Sequence, residues 1–386
     1  MRIGIDLLWV RTGICGGTES YIRSLLDVFA RYDRKNEYLL FVAEDQADSF
    51  GKYAQVQRMH LKVCRVKSVN RWIRLLWENL YLDRAAVRNQ VDLLFVPVYS
   101  KPASYGNGVS YVSVIHDFQA LHYPAYFSAG KRWFFRVSWK RTVQTSDRMV
   151  VISDAVKRDL IRQFPDAEKK TVTIYNPVVT NDSSLSADVI ERKYGITSMQ
   201  YVYCVSSMLP HKNLDTILRV VRDMRQMRLV ISGVGDQEKA LRQKLERYQI
   251  TERVILTGFV SDQIRDCLYE NCLLFLFPSV FEGFGMPPIE AMRRGKRVVM
   301  TRCACLKEVT QGQAVYVKDP YSVSEWKEKI QYAMTLPEKR ISFPEYELYE
   351  ITGEYQKLFQ EVQNSQIKES NTKRKRSRRK RKETKD

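Results

Sequence analysis

Two successive domains of the α/β class are predicted by three features of this sequence: its length, its alternation of short apolar runs with helical segments, and one polar interruption. At 386 residues the chain is longer than one core of ordinary size requires, which indicates two domains. Apolar runs that alternate with helix-like segments are typical of parallel sheets covered by helices on both faces. The interruption, residues 176–186, collects turn-forming and polar residues and therefore marks a linker.

Six runs before the linker are predicted to be strands, at residues 2–10, 38–43, 61–66, 92–96, 110–115 and 148–152. Five more follow it, at residues 201–205, 228–232, 254–256, 272–277 and 297–301. Open parallel sheets bind ligands at the carboxyl ends of their strands, so we expect two Rossmann-like domains facing across a ligand-binding cleft. The predicted parts are a first domain at 1–180, a second at 181–340, a final helix at 341–365 and a disordered basic tail at 366–386.

The composition is that of a soluble globular protein, with 44% hydrophobic and 28% charged residues. No run of about 18 apolar residues is present, so no membrane-spanning helix is expected. Asp6 interrupts the N-terminal apolar run, which is therefore predicted to be the first strand rather than a signal peptide. Seven scattered cysteines, an odd number, indicate reduced thiols and a cytoplasmic protein.

Positive charge is concentrated in two segments. Residues 373–386 hold ten Lys or Arg and two acids, so this tail carries +8 of the net +19 and residues 1–372 carry the other +11. The tail is predicted to be disordered and to attract an anionic membrane or, non-specifically, nucleic acid. Residues 130–141 place five basic residues among four aromatic ones. The aromatic side chains either belong to the core or lie on anionic lipid.

A candidate ligand loop occupies residues 277–292, directly after a predicted buried strand. Gly283 and Gly285 allow the backbone to come close to a ligand, and the two prolines that follow suit the first turn of a helix. A helix N-terminus favours phosphate, whereas Glu282 and Glu290 favour hydroxyl groups. The combination indicates a sugar nucleotide, although Gly-Pro loops between strands and helices are also common without any ligand.

Other candidates follow other strands. Gly16 and Gly17 lie after the first strand in a flexible loop, with Thr18 as a possible cap of the next helix. His116 ends an apolar strand and is expected at its carboxyl end. Lys212 precedes a helix, where its ammonium could neutralise a diphosphate. The alternative for the glycines is an ordinary strand-to-helix turn, and the alternative for His116 is a histidine that only packs in the core.

Residues 282–292, EGFGMPPIEAM, resemble the E-x7-E block of the retaining glycosyltransferases of family 4. The glycine-rich turn at 16–19 and the P-x-K-N stretch at 210–213 are similar to other motifs of that family. The sequence departs from the pattern at Ser206, where the family has glycine, and at Ser207, where it often has arginine. The resemblance covers residues 1–340, and 343–363 looks like the helix that crosses back in the family's GT-B fold.

This resemblance implies roles for individual residues. Glu290 would bind the donor ribose and Glu282 a hydroxyl of the transferred sugar, while His116 would orient that sugar. Lys212 would stabilise the charge that develops on the diphosphate leaving group. The catalytic candidates are thus His116, Lys212 and Glu282, and no nucleophile is assigned. The donor-binding candidates are Gly16, Gly17, Ser207, Lys212, Glu282, Gly283, Phe284, Gly285, Met286 and Glu290.

The motifs most resemble those of bacterial polysaccharide mannosyltransferases, which implies a nucleotide-sugar donor, GDP-mannose or a UDP-sugar, and a glycan or lipid-linked acceptor. No Asp-x-Asp triplet occurs, so neither a metal nor a cofactor is predicted. We expect the protein at the inner face of the cytoplasmic membrane, bound peripherally. A nucleic-acid-binding protein, suggested by the basic tail, and a sugar-nucleotide epimerase of the same fold remain the alternatives.

Overall fold

The computed structural model describes residues 1–14, 16–98, 109–180, 185–235 and 237–383, with side chains described as far as residue 366. The chain divides into two compact units. Unit 1 comprises Met1–Pro177 and Glu345–Asp386, and unit 2 comprises Val178–Pro344.

Unit 1 is built on one parallel sheet of seven strands within the described residues, in the order β3-β2-β1-β4-β5-β6-β7. The strands are β1 Arg2–Asp6, β2 Glu37–Ala43, β3 Met59–Cys64, β4 Leu93–Val96, β5 Ser110–Ile115, β6 Arg148–Val151 and β7 Thr171–Thr173. The central strands are buried on both faces, as continuous apolar sequences predict.

The helices of unit 1 cover both faces of this sheet. They are α1 Gly17–Tyr32, α2 Gly51–Ala54, α3 Arg71–Trp77, α4 Asp83–Arg88, α5 Gln119–His122, α6 Ala129–Thr145, α7 Asp154–Gln163 and, at the end of the chain, α15 Leu348–Glu383. A π-helical turn, Glu78–Leu82, joins α3 to α4. Short 3-10 turns occupy Glu44–Phe50, Pro124–Tyr126, Pro165–Lys170 and Pro344–Tyr346.

The last helix returns to unit 1 and packs on α1. The hydroxyl groups of Tyr355 and Tyr21 are hydrogen-bonded in the core, and the Tyr355 ring meets Phe29 edge to face. This helix continues to Glu383, past the end predicted at residue 365, since Lys and Arg favour helix. The disorder predicted for residues 366–386 stays a prediction, because the side chains from 367 onward lie outside the described residues.

Unit 2 repeats the architecture with a parallel sheet in the order β10-β9-β8-β11-β12-β13. Its strands are β8 Val202–Val205, β9 Leu229–Ser232, β10 Val254–Gly258, β11 Leu274–Phe277, β12 Val298–Thr301 and β13 Val315–Val317. Its helices are α8 Ala187–Tyr194, α9 Leu214–Asp223, α10 Glu238–Arg247, α11 Asp262–Glu270, α12 Met286–Arg293, α13 Ala304–Val309 and α14 Val323–Thr335, with 3-10 turns at Pro210–Lys212 and Thr251–Arg253.

The strand order reverses once in each sheet, between β1 and β4 in unit 1 and between β8 and β11 in unit 2. At such a point the connections leave in opposite directions and open a crevice beside the carboxyl ends of the two strands, where ligands bind. The loops after β8 and β11 contain Lys212 and Glu282. The switch point of unit 2 therefore coincides with the strongest motifs of the sequence.

All eleven predicted runs contain strands, and the predicted α/β class is confirmed. The first strand stops at Asp6 rather than at residue 10, because the Asp6 carboxylate accepts the N–H of Leu8 and turns the chain. β7 and β13 were not predicted because each has three residues, too few for a periodic signal. Thr18 does not cap α1: the helix begins at Gly17, and Gly16 is its N-cap.

The basic-aromatic segment divides between the two interpretations. Phe135 and Trp139 are buried, whereas Trp133 is 68% exposed on the outer side of α6. Six of the seven cysteines lie in the described residues and are thiols, while Cys15 lies outside them. Among the described helices, none combines the length and apolar character needed to cross a bilayer.

Candidate active site

The loop after β11 has a geometry that only glycine satisfies at one position. Gly285 has φ +95° and caps the N-terminus of α12. A Cβ atom at this residue would lie 2.5 Å from Cδ2 of Leu306, so a side chain is excluded by both backbone conformation and space. The neighbouring Phe284 is buried, and its carbonyl accepts a hydrogen bond from Sγ of Cys305 at 3.2 Å. The predicted loop-to-helix unit is thus held firmly against the body of unit 2.

The loops after β8 and β11 meet through a salt bridge. Nζ of Lys212 lies 2.6 Å from Oε1 of Glu282. The backbone fixes this pair, because the N–H of Val280 donates to the carbonyl of His211 at 2.8 Å. Asn213 then takes a left-handed conformation, φ +48°, and starts α9. The structure therefore brings two of the three predicted catalytic residues into direct contact.

Glu290 lies at the fifth of the eight residues of α12 and is held by α11. The Tyr269 hydroxyl donates to its Oε2 at 2.9 Å, and Nε of Arg265 lies 3.9 Å from the same oxygen. Burial and the Glu290 carboxylate raise the pKa of Tyr269 well above 10, so this phenol remains a donor at neutral pH. Oε1 of Glu290 has no protein hydrogen bond in the described part of the chain and is available to a ligand hydroxyl.

Arg265 and Tyr269 are candidate site residues that the sequence did not indicate, because both contact Glu290. They lie four positions apart on α11 and so share one face of that helix, which is directed at α12. Arg294 reinforces the arrangement, because its Nη2 lies 2.6 Å from Oδ1 of Asp266 and its Nη1 donates to the Glu290 carbonyl. The only sequence signal was the i, i+4 spacing of Arg265 and Tyr269, which is common on helices that bind nothing.

Ser206 and Ser207 lie at the carboxyl end of β8, where the family pattern has glycine and arginine. The Ser206 N–H donates to the Ser232 carbonyl, and its hydroxyl donates to the carbonyl of Ser207 at 3.3 Å. The opposite loop comes very close, since a Cβ atom on Gly233 would lie 3.0 Å from the Ser206 oxygen. Gly233 is therefore explained by packing.

His116, the third predicted catalytic residue, lies in unit 1 after β5. Its Nε2 is 2.8 Å from the carbonyl oxygen of Pro97, and the Tyr21 ring meets its face edge-on at 4.9 Å. Because a carbonyl only accepts, Nε2 carries the proton and Nδ1 is the basic nitrogen. Burial lowers the pKa of His116 to about 4, although the bond to Pro97 opposes this shift. The imidazole is therefore neutral at physiological pH.

Gly16 and Gly17 begin α1 in unit 1, and the loop before them is closed by a carboxylate. Oε2 of Glu19 accepts the N–H of Gly13 at 2.9 Å, and Oε1 pairs with Nε of Arg23 at 2.8 Å. Gly16 has φ +57° and both glycines are exposed with open space around them. Their predicted role in donor binding stays a prediction.

Metal-ligating side chains do not cluster in this protein as far as it is described: no group of three or more His, Cys, Asp or Glu is arranged to hold an ion. The prediction of metal-independent chemistry stays a prediction.

Two family models match the chain, one described as Glycosyltransferase Family 4 over residues 15–182 and one as Glycosyl transferases group 1 over residues 186–347. Together they span both units. The chain belongs to glycosyltransferase family 4. The resemblance stated from the sequence motifs is confirmed.

Curated relatives of this family 4 chain include the O-antigen chain mannosyltransferase RfbU of Salmonella typhimurium, 27% identical over 60% of the chain and 63% of that protein. The O-antigen chain mannosyltransferase B of Escherichia coli is 28% identical over 55% of the chain and 58% of that protein. The chain thus matches about three-fifths of the length of these relatives.

Solved structures with the same fold include Anabaena HepE in complex with UDP-glucose, with TM-score 0.66 at 18% identity, covering 96% of this chain and 100% of that one. WaaG, a glycosyltransferase involved in lipopolysaccharide biosynthesis, gives TM-score 0.66 at 14% identity, and the match covers 94% of this chain and 98% of that one. At this level of identity the likeness shows the fold, and the predicted GT-B class is confirmed.

Proposed function

We propose that this protein is a retaining glycosyltransferase that moves a sugar, preferably mannose, from a nucleotide-diphosphate donor to a glycan or lipid-linked acceptor of a surface polysaccharide. Membership of family 4 supports the reaction type. The names of the two curated relatives support mannose and polysaccharide synthesis. The single observation that carries the proposal is the arrangement of Lys212, Glu282 and Glu290 around the switch point of unit 2.

The donor nucleotide is assigned to the α11 and α12 side of this site. Oε1 of Glu290 would accept hydroxyl groups of the ribose, while Tyr269 and Arg265 hold the carboxylate in place from the other side. A carboxylate fixed in this way is organised before the ligand arrives, which lowers the ordering cost of binding. Tyr269 and Arg265 are positioning residues in this proposal.

The diphosphate is assigned to Lys212 and to the N–H groups of Phe284, Gly285 and Met286 at the start of α12. The Lys212 ammonium pairs with the Glu282 carboxylate at 2.6 Å. A sugar hydroxyl that bonds to Glu282 would weaken this pair and leave more of the ammonium's charge for the diphosphate. As the glycosidic bond breaks, negative charge grows on the leaving group, and a cation fixed nearby lowers the barrier.

His116 is assigned to the transferred sugar as a neutral imidazole. Its Nε2–H is committed to the Pro97 carbonyl, so Nδ1 is left to accept a hydrogen bond from a sugar hydroxyl. This role suits a positioning contact better than proton donation, because the depressed pKa keeps the ring unprotonated.

Peripheral attachment to an anionic membrane also belongs to the proposal. Trp133 and Val137 on α6 are exposed, as are Trp72, Ile73 and Leu76 on the neighbouring α3. We call these five residues the apolar surface. Basic side chains lie beside them, including Arg71 and Lys140, and apolar groups flanked by cations are typical of interfacial helices. The α3 part was not predicted from the sequence, which pointed to α6 and the tail.

Thermal shift with GDP-, UDP- and ADP-sugars tests the donor class, since a ligand present well above its Kd raises the melting temperature measurably. Transfer is then measured with the stabilising donor, with and without a lipid-linked glycan. Conversion of the sugar nucleotide without any acceptor would favour the epimerase alternative. Loss of the main activity on deletion of residues 373–386 would favour the nucleic-acid alternative.

A further inference from the structure

Unit 1 contains a cavity of about 500 Å³ beside His116. Among the residues that the structure describes, four cations line it: Arg11 from the loop after β1, Arg71 and Arg74 from α3, and Lys131 from α6. Nothing in the proposed donor site of unit 2 accounts for this group. A concave surface lined by charges of one sign concentrates the electrostatic potential inside it, so the cavity is suited to an anion.

The acids near this cavity do not cancel its cations. Asp117 is the acidic side chain in the lining, and its Oδ1 already accepts the N–H of Gln119 at 2.9 Å. Glu78 lies beneath the lining and holds Arg74 through a 2.6 Å contact with Nη1. The charge of Glu78 is thus matched by that of Arg74, and Arg71 and Lys131 still outnumber Asp117. The net charge of the lining therefore remains positive.

The geometry of the cations fits phosphate. Glu78 fixes one end of the Arg74 guanidinium, and the Arg71 guanidinium lies 4.9 Å from the centre of the Phe134 ring. Guanidinium groups held in this way present planar pairs of N–H donors, which match the oxygens of a phosphate or diphosphate. Lys131 adds a point charge near the start of α6, where its Nζ lies 5.0 Å from the centre of the Phe127 ring.

Besides the polar Thr18, Ser68 and His116, the lining has an apolar part, which distinguishes this cavity from a site for a bare ion. Trp9, Phe134 and Phe135 contribute aromatic surface. The helices that supply Arg71 and Lys131 carry the apolar surface on their outer sides, where Trp72 is 75% exposed and Trp133 is 68% exposed. The same two helices thus present cations to the cavity and apolar groups to the outside, which indicates an amphiphilic ligand.

We propose that this cavity binds the phosphate-bearing head of a lipid-linked acceptor, held by Arg71, Arg74 and Lys131, with the hydrocarbon chain leaving along the apolar surface. The inference rests on the proposed glycosyl transfer and names its acceptor class and acceptor site. Because His116 also lines the cavity, this ligand would bind beside a residue assigned to the transferred sugar.

The test measures binding of farnesyl diphosphate, a short water-soluble prenyl diphosphate, to the full-length protein by isothermal titration calorimetry. Inorganic pyrophosphate and farnesol separate the charged head from the chain. Farnesyl diphosphate should bind at least tenfold more tightly than either. Equal binding of pyrophosphate would mean a free-anion site, and equal binding of farnesol would mean a purely apolar one; both outcomes overturn the proposal.

The double variant Arg71→Gln, Lys131→Gln should weaken farnesyl diphosphate at least tenfold, because each charge-assisted contact contributes about tenfold or more. The matched control Arg136→Gln, Lys140→Gln removes two exposed cations from the same surface region and should change binding less than twofold. Equal losses in both variants would mean unspecific attraction and overturn the assignment. Arg74 is left intact because its removal would leave Glu78 buried without its partner.

Nucleotide binding separates this inference from the proposed function. The double variant should bind the stabilising nucleotide sugar with unchanged affinity, and the nucleotide alone should not displace farnesyl diphosphate. Displacement by the nucleotide would assign the cavity to the donor and overturn the acceptor proposal while leaving glycosyl transfer standing. Failure of every nucleotide sugar to bind, with farnesyl diphosphate still bound, would contradict the proposed function alone.

Discussion

Replacing Glu290 by glutamine tests the assignment of the donor nucleotide. The variant keeps the size of the side chain and still offers an oxygen to the Tyr269 hydroxyl, which now donates at 2.9 Å. It removes the negative charge that Oε1 would present to ribose hydroxyl groups. A hydrogen bond to a charged partner contributes about 1.5–3 kcal/mol, so donor affinity should fall about 10- to 150-fold.

Calorimetric titration with the nucleotide found by thermal shift measures the loss directly. Glu252→Gln, which removes an exposed carboxylate elsewhere in unit 2, serves as the control and should leave affinity unchanged. Tyr269→Phe adds a second arm: it removes the hydrogen bond that orients Glu290 but retains the charge, so its loss should be smaller. Wild-type affinity in a folded Glu290→Gln protein would exclude this residue from the donor site.

Three further predictions address the diphosphate, the loop and the membrane. Lys212→Ala should lower kcat more than it raises the donor Kd, with Lys239→Ala as an exposed control; a raised Kd with intact kcat would make Lys212 a ground-state contact. Gly285→Ala should lower the free energy of unfolding in urea by about 1–3 kcal/mol. The loss should exceed that of Gly312→Ala, a position with φ +74° but open space around it; equal losses would refute the clash with Leu306. Trp72→Ser combined with Trp133→Ser should abolish the sedimentation with anionic vesicles that persists at high salt. Deletion of residues 373–386 should remove the part of the binding that salt weakens, and the control Phe259→Ser should leave both parts unchanged. Unchanged high-salt binding of the double variant would exclude the apolar surface as the anchor.

The motif residues could be proposed from the sequence because their structural constraints are local. Gly285 and the prolines of α12 constrain the backbone where they stand, and Glu282 and Glu290 lie within one loop and helix. The parallel arrangement of the strands followed from their alternation with helices, because parallel strands need crossover connections. Each of these inferences depends on neighbours in sequence rather than on distant contacts.

The residues that the sequence left unassigned depend on tertiary packing. Arg265 and Tyr269 matter because α11 packs beside α12, and no local pattern predicts that contact. Trp72, Ile73 and Leu76 have the spacing of an ordinary buried helix face, and only the structure shows them exposed. Arg11, Arg71 and Lys131 line one cavity although each lies 60 positions from the next in the sequence. Their clustering therefore could not be predicted from the order of residues.

Sugar transfer by the purified full-length protein is the direct test of the proposed retaining, metal-independent glycosyl transfer. The protein is incubated with GDP-mannose, or with the donor found by thermal shift, and a prenyl-diphosphate-linked glycan in the presence of EDTA, and the product is analysed by NMR. We expect a new glycosidic bond with the anomeric configuration of the donor sugar, formed without added metal. An inverted product, or transfer that disappears in EDTA and returns with a divalent metal, would contradict this expectation.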